Sequence, residues 1–279
     1  MLQFLLDGVS HKAARHHRSK PFVMRNTAPL VSFTFDDVPD SAYANGAPVL
    51  EAQGARGTFY IAAGICGRPD THWRAIDRNQ VRALHDRRHE IGCHTFSHVS
   101  VDRLDARTME EECRRNRAVL RELCAGVEPT NFCYPFGRAS LPRKLQLLRC
   151  FDSCRGIYEG VNAGIVDLAM LRVIELYDRT LTRDKLRRVL RENRERRGWL
   201  IFYTHDVADP PSPIGCSPRF LRTIVETVQD ANMPCLPVRD ALAAIGYSPV
   251  REAAPRAPVS MPVGRDTTAG LRNDSASAA

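Results

Sequence analysis

Aromatic residues are scarce, 7% of the chain, and none are interleaved with its basic tracts. A groove for nucleic acid stacks bases on aromatic rings between phosphate-binding charges, so nucleic acid is not an expected partner. No apolar run approaches the length of a membrane-crossing helix. The opening Met1-Leu-Gln-Phe-Leu-Leu-Asp7 is too short for the apolar region of a secretory leader, with an acid inside it and basic residues after it. The nine cysteines show no paired spacing that would build a disulfide framework or a zinc ribbon. Several (Cys93, Cys133, Cys235) lie within apolar runs, where a free cysteine acts as a small hydrophobe. That usage fits a reducing compartment, and a cytoplasmic location is expected.

What is present suits a soluble globular protein: 279 residues, 43% hydrophobic, with a formal charge of +8 carried mostly by arginine. This length is ordinary for a single α/β barrel. The charge favours anionic partners. Residues 1–27 are polar and basic, and His11, His16 and His17 have no carboxylate or cysteine beside them, so this segment reads as a solvated arm. Residues 248–279, rich in Pro, Ala, Ser, Thr and Arg, read as a disordered tail.

Residues 28–247 alternate short apolar runs with helix-like segments. Strands are expected at 30–35, 57–62, 90–93, 131–134, 153–157, 172–176, 200–204 and 234–237. Helices are expected at 42–53, 79–88, 108–124, 183–197, 218–232 and 238–245. Such alternation implies a parallel α/β architecture in one barrel-like domain.

Two stretches carry chemistry. Val31-Ser-Phe-Thr-Phe-Asp36-Asp37-Val-Pro ends an apolar run on paired carboxylates, and Glu90-Ile-Gly-Cys-His94-Thr-Phe-Ser-His98 ends another on two histidines. Imidazole and carboxylate suit a borderline cation such as Zn²⁺, whose catalytic sites keep three protein ligands and an open position. Adjacent strand residues point to opposite sides, so Asp36 and Asp37 would serve differently: one as ligand, the other as proton acceptor. Both motifs fall at C-terminal ends of strands, where parallel α/β folds place their sites. Taken singly, the carboxylates could be turn residues and the histidines satisfied polar groups. Together they point to metal-assisted hydrolysis.

Thr34-Phe-Asp36-Asp37 and His94-Thr-Phe-Ser-His98 resemble the first two signature motifs of the NodB-like polysaccharide deacetylases, carbohydrate esterase family 4. Gly57-Thr-Phe-Tyr60 also looks familial. Asn131-Phe-Cys-Tyr-Pro-Phe-Gly137 resembles the third motif and Leu200-Ile-Phe-Tyr-Thr-His205-Asp206 the fifth, so the resemblance spans roughly residues 29–246. It implies a distorted (β/α) barrel that removes N-acetyl groups from amino sugars, as in chitooligosaccharide deacetylation. Carried onto this chain, Asp37, His94 and His98 would hold the metal, Zn²⁺ by preference. Asp36 would be the general base, His205 the general acid, and the backbone near Phe136 an oxyanion donor, with Tyr134 and Arg155 as further pocket residues. An amide has a poor leaving group, so a base, an acid and an electrophile are all required.

The chain departs from the pattern in two places. Cys133 stands where the third motif commonly has an arginine that orients the catalytic carboxylate, and Arg138 or Arg155 would have to replace it. The fourth motif, an Asp and Trp pair, is not recognisable; Trp199 reads as a packing residue and Asn162 as a pocket candidate. Competing functions are deacetylation or deformylation of a lipid- or nucleotide-linked amino sugar, and a catalytically silent carbohydrate-binding barrel. The arginine-rich segment 184–197 reads as a solvated outer helix face, with docking on an anionic membrane as the less favoured alternative. No obligate protein partner is expected.

Overall fold

The computed structural model describes His11 and residues 14–249. In chain order the strands are β1 (Pro21–Val23), β2 (Leu30–Phe35), β3 (Thr58–Ile61), β4 (Glu90–Cys93), β5 (Asn131–Cys133), β6 (Ser153–Glu159), β7 (Ile165–Asp167), β8 (Leu171–Glu175) and β9 (Trp199–Thr204). Seven of them close a parallel barrel in the order β2-β3-β4-β5-β6-β8-β9, with β9 pairing back to β2 from Leu30↔Trp199 to Phe35↔Thr204. Every residue of β2, β3, β4, β5 and β9 is buried, as expected of parallel strands covered on both faces.

The outer layer comprises α1 (Ala47–Ala52), α2 (Arg78–Asp86), α3 (Ala106–Leu123), α4 (Leu141–Leu147), α5 (Arg183–Glu195), α6 (Pro218–Asp230) and α7 (Val238–Ala244). Their starts are written locally. Asp77 and Gln80 form a reciprocal capping box on α2, and Asp105 accepts from the Thr108 backbone N–H at α3. Ser217 caps α6 ahead of Pro218, whose missing N–H costs nothing in the first turn. Val81 and Leu84 of α2, and Leu186, Val189 and Leu190 of α5, turn into one continuous core with Phe33, Phe35, Phe59 and Phe202 of the strands.

The structure differs from the sequence reading in four places. Residues 234–237 are not a strand: Pro234 and Pro237 have no N–H to donate, and only Cys235 bridges to Val31. The segment 42–53 begins as a π turn over Ala42–Gly46, and α1 follows it with Pro48 in its first turn. Helix α4 and the ribbon formed by β1 and β7 were not expected, since a seven-residue helix and three-residue strands carry too little periodicity to read. Finally, the described part of the basic arm packs on the barrel. Lys144 Nζ donates to the carbonyls of Ala14 and His17, and Lys20 Nζ to those of Asp152 and to Tyr247 Oη. The tail expected from Ser248 lies outside the described residues from 250 onward.

The N-terminal end of the barrel is closed by polar residues opening four successive strands. Glu90 accepts from Thr58 Oγ1 and the Arg239 backbone N–H, both at 2.8 Å, and from Asn131 Nδ2. Ser153 Oγ in turn donates to Asn131 Oδ1. Every oxygen of this buried carboxylate has a donor.

Candidate active site and metal centre

At the opposite end the backbone bends sharply. Asp37, Val38, Thr95, His98 and Phe136 all have left-handed φ, between 40° and 59°. Branched Val38 and Thr95 rarely adopt it, and each such residue costs about 1–3 kcal/mol. The strain lies beside the candidate ligands, and the bend after β2 brings both Asp36 and Asp37 to one cavity despite their adjacency.

Asp37 Oδ1 lies 3.1 Å from His94 Nε2 and 2.8 Å from His98 Nε2. His94 Nδ1 is 2.8 Å from the Cys133 carbonyl, which can only accept, so Nδ1 carries the hydrogen and Nε2 presents a lone pair. Lone pair therefore faces carboxylate, and Asp37 Oδ1 is a buried oxygen without a hydrogen-bond donor. That arrangement requires a cation between the atoms, either a proton or a metal. Burial pushes the Asp37 carboxyl up, but the two imidazoles more than reverse this and hold it well below the usual carboxylate range. His98 moves oppositely: burial lowers it, and Asp37 raises it further than burial lowers it. The three groups are the one cluster among the described residues with metal-ligand convergence, their donor atoms lying within 4.8 Å of one another. Two imidazoles and a carboxylate are a fitting set for a divalent transition metal.

Asp36 is wired separately. Its Oδ1 is paired with Arg155, which rises from β6 in register with Cys133 of the neighbouring β5. Arg155 is fully buried, its guanidinium stacked 4.9 Å from the Tyr60 ring and 5.3 Å from that of Tyr203. Burial lowers the pKa of Arg155, but Asp36 and other neighbours more than offset that, so it stays charged. The arginine missing from the third motif is thus supplied one strand over, while Arg138 pairs with Asp102 instead. Cys133 Sγ sits 3.5 Å from Asp36 Oδ2, and burial first, then Asp36, drive its thiol well above the ordinary range. A thiol so held is not a nucleophile.

His205 faces Asp37 from just past the end of β9, its Nε2 3.9 Å from Asp37 Oδ2. Its Nδ1 lies 3.1 Å from the Ile214 carbonyl, so that nitrogen also carries the hydrogen and Nε2 is left toward the cavity. Asp206 does not pair with it; that carboxylate binds Ser212. The His205 ring is stacked by Trp73, centroids 5.9 Å apart at 22°, and flanked by Tyr177 and Tyr203. Trp73 and Tyr177 were not singled out from sequence. A tryptophan in the polar loop Asp70-Thr-His-Trp73 was the available signal.

These groups line a cavity of about 670 Å³ with Phe136 and Ile157 at its wall. Phe136 is 59% exposed and its ring packs on His98 at 4.6 Å. Gly137, with φ 64°, is required here because a Cβ would fall 2.2 Å from Ile157. Tyr134 lines the cavity but spends its hydroxyl on the Ala169 carbonyl. Arg155 lies behind Asp36, not on the cavity wall, and Asn162 binds the Arg172 and Trp199 carbonyls away from this cavity. Trp199 is a packing residue bonded to Ser32.

A family model described as polysaccharide deacetylase matches residues 24–149, which include the first three motifs. Residues 24–149 are thus similar to the polysaccharide deacetylases. Several solved structures are similar to the barrel of this chain. A T48 deacetylase solved with substrate is 19% identical, with a TM-score of 0.56 over 78% of this chain and 92% of that one. A family 4 acetyl xylan esterase from Clostridium thermocellum, in complex with a cobalt ion, is 21% identical at TM-score 0.56, covering 78% and 93%. The Xyl-CE4 domain of a xylanase from the hindgut metagenome of Trinervitermes trinervoides is 15% identical at TM-score 0.57, covering 81% and 95%. At these identities the likeness concerns the fold. None of the curated proteins matches the sequence.

Proposed function

We propose that this protein is a divalent-metal-dependent hydrolase that removes N-acetyl groups from an amino sugar in an oligo- or polysaccharide. The observation that carries this reading is the cation-demanding convergence of Asp37, His94 and His98, with a separately held carboxylate beside it and an imidazole across from it. When bound, a metal such as Zn²⁺ would polarise the amide carbonyl and make water easier to deprotonate. Asp36 takes the proton from water, its carboxylate held in place by Arg155. Acting as the imidazolium, with Nδ1–H held by the Ile214 carbonyl and the ring stacked by Trp73, His205 gives its Nε2 proton to the departing amine and is left neutral. The backbone N–H of Phe136, on the cavity wall, serves as the oxyanion donor, a contribution of roughly 3 kcal/mol in related chemistry.

Metal content of the purified protein, paired with acetate release from N-acetylglucosamine oligomers, tests the reading. Bound metal, with release abolished by chelation and restored by Zn²⁺, is the expected result. Bound metal without acetate would redirect the search to formyl, lipid-linked or nucleotide-linked substrates. Failure to bind any divalent metal would overturn the mechanism and leave a binding role.

A further inference from the structure

Val23 and Ile165 stand directly opposite each other in the antiparallel register of the β1–β7 ribbon, so they share one face. They are 60% and 52% exposed, while their neighbours Phe22 and Val166 turn inward against a core that includes Tyr247 and Trp199. An exposed aliphatic pair by itself needs no partner. Its surroundings supply the argument. Ile165 forms part of the wall of a cleft of about 470 Å³ that is otherwise dominated by Arg15, Arg18, Arg172 and Arg196. The two carboxylates in that cleft are already engaged, Asp167 with Lys144 at 2.6 Å and Glu192 with Arg196 at 2.6 Å. On the other side, exposed Arg25 follows Val23 on the same alternation. Asn26 Nδ2 bonds the Arg197 carbonyl at 2.8 Å, fastening the ribbon to the arginine-rich end of α5. Glu195 is the remaining exposed acid of that helix end.

We propose that this face docks on an anionic lipid bilayer, with Val23 and Ile165 entering the headgroup boundary and the surrounding arginines engaging lipid phosphates. A bilayer is the partner that uses both components: buried aliphatic area and electrostatic attraction add in interfacial binding. A nucleic acid would neutralise the arginines and leave the aliphatics in water. A second copy of the chain would cover the aliphatics but oppose one arginine field with another. The inference is independent of the hydrolase chemistry, since it uses no residue of the metal site.

Sedimentation of the full chain with phosphatidylcholine vesicles, with and without phosphatidylglycerol, is the test. The wild type should sediment with the mixed vesicles, less at high salt, and stay in solution with the neutral ones. Two double variants, V23D/I165D and R18E/R196E, change only exposed positions, and unchanged thermal unfolding verifies their fold. Each should weaken vesicle affinity by about tenfold or more. Unaltered binding of V23D/I165D would overturn the proposal, because this face would then not be the one that meets the bilayer. So would the absence of sedimentation, a change of oligomeric state in V23D/I165D without vesicle binding, or an oligonucleotide bound in place of vesicles.

Discussion

Glu90 opens β4 at one end of the barrel and Asp37 follows β2 at the other, yet their oxygens meet opposite surroundings. Around Glu90 every oxygen accepts from a donor: Thr58, Asn131 and the Arg239 backbone. Around Asp37 the nearest groups are imidazole nitrogens, at least one of which presents a lone pair, and Oδ1 has no donor. A satisfied carboxylate consolidates a fold, and an unsatisfied one waits for a cation. Asp36 falls between these cases, paired by Arg155 yet open to the cavity. Residue type therefore says little about which carboxylate is functional; the inventory of donors around it says nearly everything.

The contrast can be broken experimentally, starting from the site. Asp36→Asn should retain metal and fold while reducing turnover by about 10²–10⁴-fold, measured as acetate release alongside metal content. Full activity in that variant would remove Asp36 from the role of base. Arg155→Met leaves a buried carboxylate without its partner and should lower stability by about 3–5 kcal/mol. Turnover should also fall, with metal content unchanged, in a comparison of denaturant unfolding and kinetics.

Glu90→Ala tests the other end. It strands the donors of Thr58, Asn131 and Arg239, so destabilisation of about 1–3 kcal/mol is expected, with turnover per folded molecule unaltered. A selective loss of turnover would show that the two ends are not separate in function.

The smallest effect concerns pH in the metal-free protein. Asp37 is held below its unfolded value, so its contribution to stability is present above the ordinary range near about 4 and is lost as pH falls below it. His98 is held above its unfolded value of about 6.5, so its contribution is full below that and disappears as pH rises through the raised value. Unfolding midpoints should therefore decline on both sides of this window. Loading the metal should abolish the alkaline decline, because His98 then exchanges its proton for the cation.

Much of the architecture was legible because it is local. The apolar runs ending at Phe35, Cys93 and Thr204 are strands by their own composition, and Asp105 announces the helix it caps. Asp36, Asp37, His94 and His98 were legible for the same reason, sitting just past strand ends in recognisable motifs. The β1–β7 ribbon and the packed arm were not, since their partners lie far along the chain.

The sequence by itself determined an alternating parallel barrel and the donor types at its C-terminal rim, since periodicity, capping and turn chemistry act over a few residues. Tertiary structure alone decided which arginine serves Asp36, that Trp73 stacks on His205, and that Val23 meets Ile165 in a basic field. Each of these depends on strand register and loop closure, which set distances between residues that the chain's order leaves unspecified.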